Sequence, residues 1–287
     1  MTASAPHGPV VVRTPGELRS ALAGAGRVGL VPTMGALHGG HRSLVRLARE
    51  QADTVVVSVF VNPLQFGPGE DYERYPRDLE ADVRVLAEEH ADVVFAPDTA
   101  TMYPVPQMIT VDAGTMGARL EGAFRPGHFT GVLTVVAKLF HLVRPDLAVF
   151  GEKDAQQIAL VRRMVSDLDL PVEIVGAPLQ RDADGLASSS RNDYLSQAER
   201  ASALSLARAL EAGREAAPGG ADAVRTAARK VLDDAAAETP PVRLDYLALV
   251  DTATFEEASA DHTGSAVLAV AARVGTTRLI DNTVVPL

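Results

Sequence analysis

Apolar positions along the chain fall into two rhythms. Short runs rich in Val, Leu and Ala occupy residues 28–31, 54–61, 93–96, 147–150 and 172–175. Runs of that length, bounded by Gly, Pro or Asn, predict strands buried on both faces. Between them, apolar residues recur at three- and four-residue spacing over 14–25, 41–51, 79–89, 127–143 and 156–167, which predicts helices. The first helix carries its own start signal, with Thr14 as cap, Pro15 at the first helical position and Glu17 three residues past the cap. Pro32 is expected to stop the first strand, because its ring fixes φ and removes a ladder donor. Arg144-Pro145 is expected to end the long apolar helix. Strands alternating with helices predict a doubly wound, Rossmann-like α/β sheet with right-handed crossovers. Near residue 180 the rhythm changes. Two Ala-rich helical stretches, 197–216 and 221–237, flank Pro218-Gly219-Gly220, and strand-like runs follow at 243–250, 266–272 and 277–280. The expected organisation is one domain over 1–179 and a second, smaller α+β domain over 180–287.

Composition narrows the function classes. The chain has 287 residues, 47% of them hydrophobic, which is ample for two cores. With 37 acidic and 27 basic side chains the formal charge is −10, which argues against a general nucleic-acid binder. An acidic protein that handles anions must gather its cations in one cleft, so isolated Lys and Arg among glycines become informative. The absence of Cys removes disulfides and thiol chemistry. Residues 1–9 lack the basic region and apolar core of a signal peptide, and no apolar run is long enough to span a bilayer. A cytoplasmic protein without a membrane partner is expected.

The stretch Pro32-Thr33-Met34-Gly35-Ala36-Leu37-His38-Gly39-Gly40-His41 reads as strand end, glycine-bearing loop and helix start. A helix start offers unpaired N–H groups and a positive dipole end, both suited to phosphate, and two imidazoles there add donors. Two other readings stand beside this one. The glycines and one capping histidine suit a plain βα turn, and His-x-x-His is a metal-ligand spacing. Gly151-Glu152-Lys153-Asp154 occupies a second strand-to-helix turn. Lys153 opposes the helix dipole there unless an anion sits nearby, while Asp154 suits either a helix cap or a ribose hydroxyl. Ser188-Ser189-Ser190-Arg191-Asn192 suits a phosphate grip or a linker leading into a helix. Gln65 and Gln157 offer neutral donors and acceptors for a small hydroxy acid, although Gln157 equally suits an exposed helix position. Arg125 stands in the turn Glu121–His128, where it suits pairing with a carboxylate or closing a loop. In an α/β sheet the segments 32–41, 62–65 and 151–154, each following a strand, should face one cleft.

The His-x-Gly-His pattern after the first strand resembles the nucleotidyltransferase superfamily, and Ser188–Arg191 resembles a variant of its second, mobile signature. The likeness then becomes more specific. The 32–41 segment, Phe60-Val61-Asn62-Pro63-Leu64-Gln65-Phe66, Arg125-Pro126-Gly127-His128-Phe129, Gly151-Glu152-Lys153-Asp154-Ala155-Gln156-Gln157, Ser189-Ser190-Arg191-Asn192 and Leu279-Ile280-Asp281-Asn282 together resemble the pantothenate synthetase family, in order and spacing over essentially the whole chain. Gly39, Arg42 and Ser188 depart from the family pattern.

That resemblance implies ligation of D-pantoate to β-alanine with ATP and Mg²⁺, through pantoyl adenylate, with release of pyrophosphate and AMP. It implies that Met34, Gly35, Ala36, Leu37, His38, Gly39, Gly40 and His41 bind ATP, with His38 and His41 at the phosphates and His41 as proton donor. Lys153 is implied to stabilise charge at the transferring phosphorus, with Arg191 as a further catalytic cation. Gly151, Glu152, Asp154, Gln180, Ser188, Ser189 and Ser190 complete the nucleotide site. Gln65 and Gln157 are implied to hold pantoate, with Asn62 and Arg125 as further substrate contacts. Mg²⁺ is expected mainly on the phosphates, with Asp82 as a protein ligand or a solvated helix carboxylate. The resemblance also implies a homodimer and a small domain that closes over the site. Its rivals are a nucleotidyltransferase that keeps the nucleotide in its product and a non-catalytic nucleotide-binding module. A Rossmann oxidoreductase lacks its Gly-x-Gly-x-x-Gly after the first strand.

Overall fold

The computed structural model describes residues 8–287, so most of the segment read as lacking a signal peptide lies outside the described residues. The chain divides into two compact units. One comprises the residues up to Glu152 together with Leu160–Ala177; the other comprises Lys153–Ala159 together with Pro178–Leu287.

The first unit is built on six parallel strands, β1 (Val10–Val12), β2 (Val28–Thr33), β3 (Thr54–Val59), β4 (Val93–Phe95), β5 (Leu147–Gly151) and β6 (Glu173–Ala177). Their spatial order is β1-β4-β3-β2-β5-β6. The chain therefore winds outward from β2 through β3 to β4, then returns to the other side of β2 with β5. That reversal is the topological switch point at which open α/β sheets bind ligands, beside the carboxyl ends of the strands. The helices are α1 (Pro15–Ala21), α2 (Gly39–Gln51), α3 (Leu79–Glu88), α4 (Thr99–Met102), α5 (Glu121–Phe124), α6 (His128–Val143) and, from Leu160 on, α7 (Ala155–Asp167). Val31, Val55, Val57, Val94, Leu147 and Val149 of the strands pack with Leu44, Val45 and Ala48 of α2 and Leu86 of α3. Burial along almost all of α6 explains why its sequence is apolar nearly throughout.

Two expectations about strands change. β2 continues through Pro32 to Thr33 rather than stopping before it. The ladder with β5 ends at Leu30–Ala148, and Pro32 lies opposite Ser58 of β3, so the missing N–H interrupts no recorded pair with β5. The edge strand β1 is an addition to the predicted elements. It has three residues, and Val10 and Val11 are exposed, so it shows neither a buried run nor an alternation.

The second unit has three antiparallel strands in the order β7 (Val242–Asp251), β8 (Ser265–Val274) and β9 (Thr277–Pro286). Leu206 and Leu210 of α8 (Gln197–Glu215) and Val224, Ala228 and Leu232 of α9 (Ala221–Ala235) share a core with Leu249, Leu268, Val270 and Val285. Alanine on the inner helix faces lets backbones approach the sheet closely. β9 runs well past residue 280, where the apolar pattern breaks at Asp281-Asn282. Both side chains are nevertheless buried, at 3% and 9% exposure, because protein partners satisfy them.

Candidate active site

The loop after β2 is held residue by residue. Thr33 Oγ1 donates to the Ser58 carbonyl at 2.6 Å and accepts the Gly35 amide at 3.2 Å. Gly35 and Ala36 both have positive φ, at 85° and 53°. The left-handed conformation is unfavourable for Ala, so something must hold it there. Asp82, in the first turn of α3, does so: Oδ2 accepts the Ala36 amide at 3.2 Å and Oδ1 accepts the Leu37 amide at 2.9 Å. Asp82 is buried, which pushes its carboxyl above the usual range, while the two amides pull the other way without overcoming burial. Each oxygen of Asp82, read from the sequence as a metal ligand or a solvated helix carboxylate, thus accepts one loop amide, and the side chain is buried rather than solvated. Among the described residues no group of three or more His, Asp or Glu stands together as a metal cage.

His38 is the N-cap of α2. Its Nδ1 accepts the Gly40 amide at 3.1 Å, and the His38 amide donates to Nδ1 of His41 at 3.3 Å. This is a capping box built from two imidazoles, whose rings stand 4.2 Å apart. A neutral ring that accepts at Nδ1 carries its proton on Nε2, so the hydrogen bonds assign both rings the same tautomer. A Cβ at Gly40 would approach the His38 Cε1 to 2.9 Å, so a larger residue there would push the imidazole from its capping position. The capping and phosphate readings are therefore compatible: the cap uses Nδ1. Arg42, one of the departures from the family pattern, pairs with Glu88 and Glu89 at the end of α3.

The loop after β3 is organised around Asn62. Its Nδ2 donates to Gln65 Oε1 and to the Gly131 carbonyl, both at 3.1 Å; its Oδ1 accepts from the Leu64 amide at 3.3 Å and from Tyr103 Oη at 2.9 Å. Asn62 is 1% exposed, and these four bonds use the whole carboxamide. The expected contact with substrate is corrected accordingly: Asn62 shapes the loop. Gly131 allows it, because a Cβ there would meet the backbone of Leu64 and lie 2.7 Å from the Gln65 nitrogen. Gln65 Nε2 reaches Met34 Sδ at 3.1 Å, which brings the loops after β2 and β3 together.

Arg125 takes the carboxylate-pairing, loop-closing reading. It grips both oxygens of Glu70 at 2.7 Å and lies 3.0 Å from His128 Nε2, while His128 Nδ1 meets the Gln65 carbonyl at 2.8 Å. Burial raises the Glu70 carboxyl, but hydrogen bonds and charge from Arg125 outweigh it and hold the group below its usual value.

Gly151 ends β5 and, with Glu152, lies within the first unit, whereas Lys153, Asp154, Gln157, Gln180 and 188–191 belong to the second. Lys153 and Gln157 are half-buried, and Asp154 and Gln180 are exposed. The Gln180 carbonyl accepts the Ser188 amide at 2.9 Å. The segment 181–192 is a folded loop, not a linker, closed by a bridge between Arg181 and Ala187. Asp182 gathers it: its carboxylate accepts from Ser188 Oγ at 2.6 Å, Asn192 Nδ2 at 3.1 Å and Arg200 at 2.7 Å. Burial raises that carboxyl, yet these donors together hold it below its usual value. Ser188, another departure from the family pattern, thus has a partner of its own. Ser189 caps the short turn at Ser190–Tyr194, accepting the Arg191 amide at 3.3 Å.

Residue types alone do not point to Glu70, Tyr103, Gly131 and Asp182. Gly131 carries a usable signal, since glycine inside an apolar helix costs about 1 kcal/mol against alanine and marks close packing.

The family model described as Pantoate-beta-alanine ligase matches residues 10–284. The chain belongs to the pantoate-β-alanine ligase family. It is similar to a pantothenate synthetase of Thermobifida fusca, 63% identical over 98% of this chain and 97% of that one. The crystal structure of pantothenate synthetase from Thermus thermophilus superimposes with a TM-score of 0.90 at 51% identity, covering 96% and 98% of the two chains. A pantoate-β-alanine ligase from Francisella tularensis, complexed with β,γ-ATP and β-alanine, matches at a TM-score of 0.77 and 31% identity over 96% and 97%. As a pantoate-β-alanine ligase family member, the chain carries its paired imidazoles on a helix start at the sheet's switch point. No helix of the described residues is long and apolar enough to cross a membrane.

Proposed function

We propose that this chain joins D-pantoate to β-alanine at the expense of ATP. The pantoate carboxylate attacks the α-phosphorus and pyrophosphate leaves, giving pantoyl adenylate. The β-alanine amine then attacks the acyl carbon and AMP leaves. Adenylation is needed because a carboxylate has no competent leaving group; it divides one forbidding displacement into two tractable ones. The protein's work is chiefly placement and charge stabilisation.

The observation that carries this reading is the imidazole capping box on the first turn of α2, at the end of the same loop whose Met34 contacts Gln65. Helix-start amides and imidazole Nε2–H groups suit the nucleotide phosphates, with Met34–His41 as the ATP segment and His41 as the proton donor. Gln65 and Gln157 suit the hydroxyls and carboxylate of pantoate. Asn62 and Arg125 serve by fixing Gln65. By family resemblance Lys153 stabilises charge at the transferring phosphorus, and Gly151–Asp154, Gln180 and Ser188–Arg191 serve the nucleotide. Magnesium belongs to this reading as MgATP, part of the substrate, and no step is assigned to a resident metal. A cytoplasmic homodimer belongs to the same reading.

The test is incubation with MgATP and pantoate, with and without β-alanine, assaying pyrophosphate and AMP separately. A pyrophosphate burst with pantoate alone, and stoichiometric free AMP only once β-alanine is added, are expected. A stable product that retains the nucleotide would instead indicate a transferase, and no pantoate-dependent pyrophosphate would indicate a binding module.

A further inference from the structure

The break in the apolar pattern of β9 coincides with a junction inside the second unit. Asp281 and Asn282 are consecutive strand residues, so their side chains leave opposite faces, yet both are buried. Asp281 receives the Arg181 guanidinium on both oxygens, at 2.7 and 3.0 Å, which ties it to the 181–192 loop. Its Oδ1 also accepts the backbone amide of Asn282 at 2.8 Å. Asn282 Nδ2 donates to the backbone carbonyl of Lys153 at 2.8 Å. Lys153 and its neighbours to Ala159 count with this unit. One strand dipeptide thereby grips the Arg191-bearing loop with one side chain and the Lys153 main chain with the other.

We propose that Asn282 is a positioning residue for Lys153, fixing the main chain from which the ammonium is aimed. This rests on the reading that Lys153 stabilises charge in adenylate formation. The physical argument is one of leverage. A lysine side chain is long and flexible, so its head is placed only as well as its backbone is held. Lys153 lies in the short turn Glu152–Asp154 before α7. A carboxamide anchored in a ten-residue strand supplies a fixed donor to that turn. Displacement of a reacting group by about 1 Å costs on the order of 100-fold in rate.

The test is a double-mutant cycle on single-turnover pyrophosphate release from MgATP and pantoate, without β-alanine. The variants are N282A, K153A and the pair, checked for wild-type melting. N282A is expected to lower the rate about 10- to 100-fold, with half-saturating pantoate within about threefold of wild type. In the K153A background the same substitution is expected to cost less than about twofold, because Asn282 acts through the lysine. Equal losses in both backgrounds, or an N282A rate within about twofold of wild type, would overturn the proposal. N282D keeps the volume and puts an acceptor against the carbonyl; it carries the same test if N282A fails to fold, and a wild-type rate in N282D would overturn it too. K153A at wild-type rate would instead reject the role of Lys153 itself, which separates that failure from this one.

Discussion

Segments 33–41 and 181–192, which contain the proposed nucleotide residues Met34–His41 and Ser188–Arg191, are held by different forces. The first is fixed mainly through its own amides: the two-imidazole cap, the Thr33 hydroxyl and the buried Asp82 carboxylate. The second is fixed by charged side chains from distant parts of the chain, with Arg181 on Asp281 and Arg200 on Asp182 and Asp184. The difference teaches what each segment tolerates. The amide contacts of the first carry little charge for salt to screen, but they last only while Nδ1 of each imidazole and the Asp82 carboxylate, which burial pushes above its usual range, stay unprotonated. Partly exposed charge pairs, such as Arg200 at 32% and Asp184 at 36%, are screened by salt and lost when the carboxylates protonate.

The sharpest way to break the comparison separates capping from chemistry at His38. Asparagine is a good N-cap but lacks an imidazole. H38N is expected to melt as wild type and to lose about 100- to 1,000-fold in adenylate formation, the scale for removal of one transition-state donor. Wild-type turnover in H38N would reduce His38 to a cap. Next in size is G131A, where the added methyl meets the Leu64 backbone. It is expected to lower stability by about 1–3 kcal/mol in denaturant titration and to weaken pantoate binding by displacing Gln65. Unchanged stability would show that α6 and the loop can part without cost.

The third prediction concerns pH. Asp182 is held below its usual value in the folded protein. Its stabilisation is therefore complete above the ordinary carboxylate range, near pH 4, and is lost as pH falls through the lowered folded value. D182N is expected to flatten the acid limb of a melting-temperature profile while leaving the H38N result untouched; an unchanged limb would contradict the charge-held loop. The smallest effect is expected for S188A, which removes one hydroxyl donor to Asp182 at a cost of about 0.5–1.5 kcal/mol. A nucleotide affinity unchanged within about threefold would fit a framework role for Ser188.

The same contrast explains what the sequence discloses. The sheet, the helices of the first unit, the α1 capping box and the His-x-Gly-His helix start are legible because each is encoded within a few residues. The candidate histidines, Gln65 and the glycine turns are likewise visible as residue types in loops after strands. Asp82 is visible only as an ambiguous carboxylate, since its partners lie 45 and 46 residues away. The sequence suggests a carboxylate for Arg125 without naming Glu70, and nothing local announces Gly131 as a partner of Asn62. The apolar pattern cuts β9 short at Asp281-Asn282 because a polar pair reads as an end until Arg181 and Lys153 are seen across it.

Oxygen transfer is the most direct test of an adenylate pathway. The chain would be given pantoate labelled with ¹⁸O in both carboxylate oxygens, together with MgATP and β-alanine, and the AMP and pyrophosphate would be analysed by mass spectrometry. One labelled oxygen in each AMP and none in pyrophosphate is the predicted result, since the attacking carboxylate oxygen leaves on the α-phosphorus. Unlabelled AMP, with the departing labelled oxygen in pyrophosphate or inorganic phosphate instead, would contradict it.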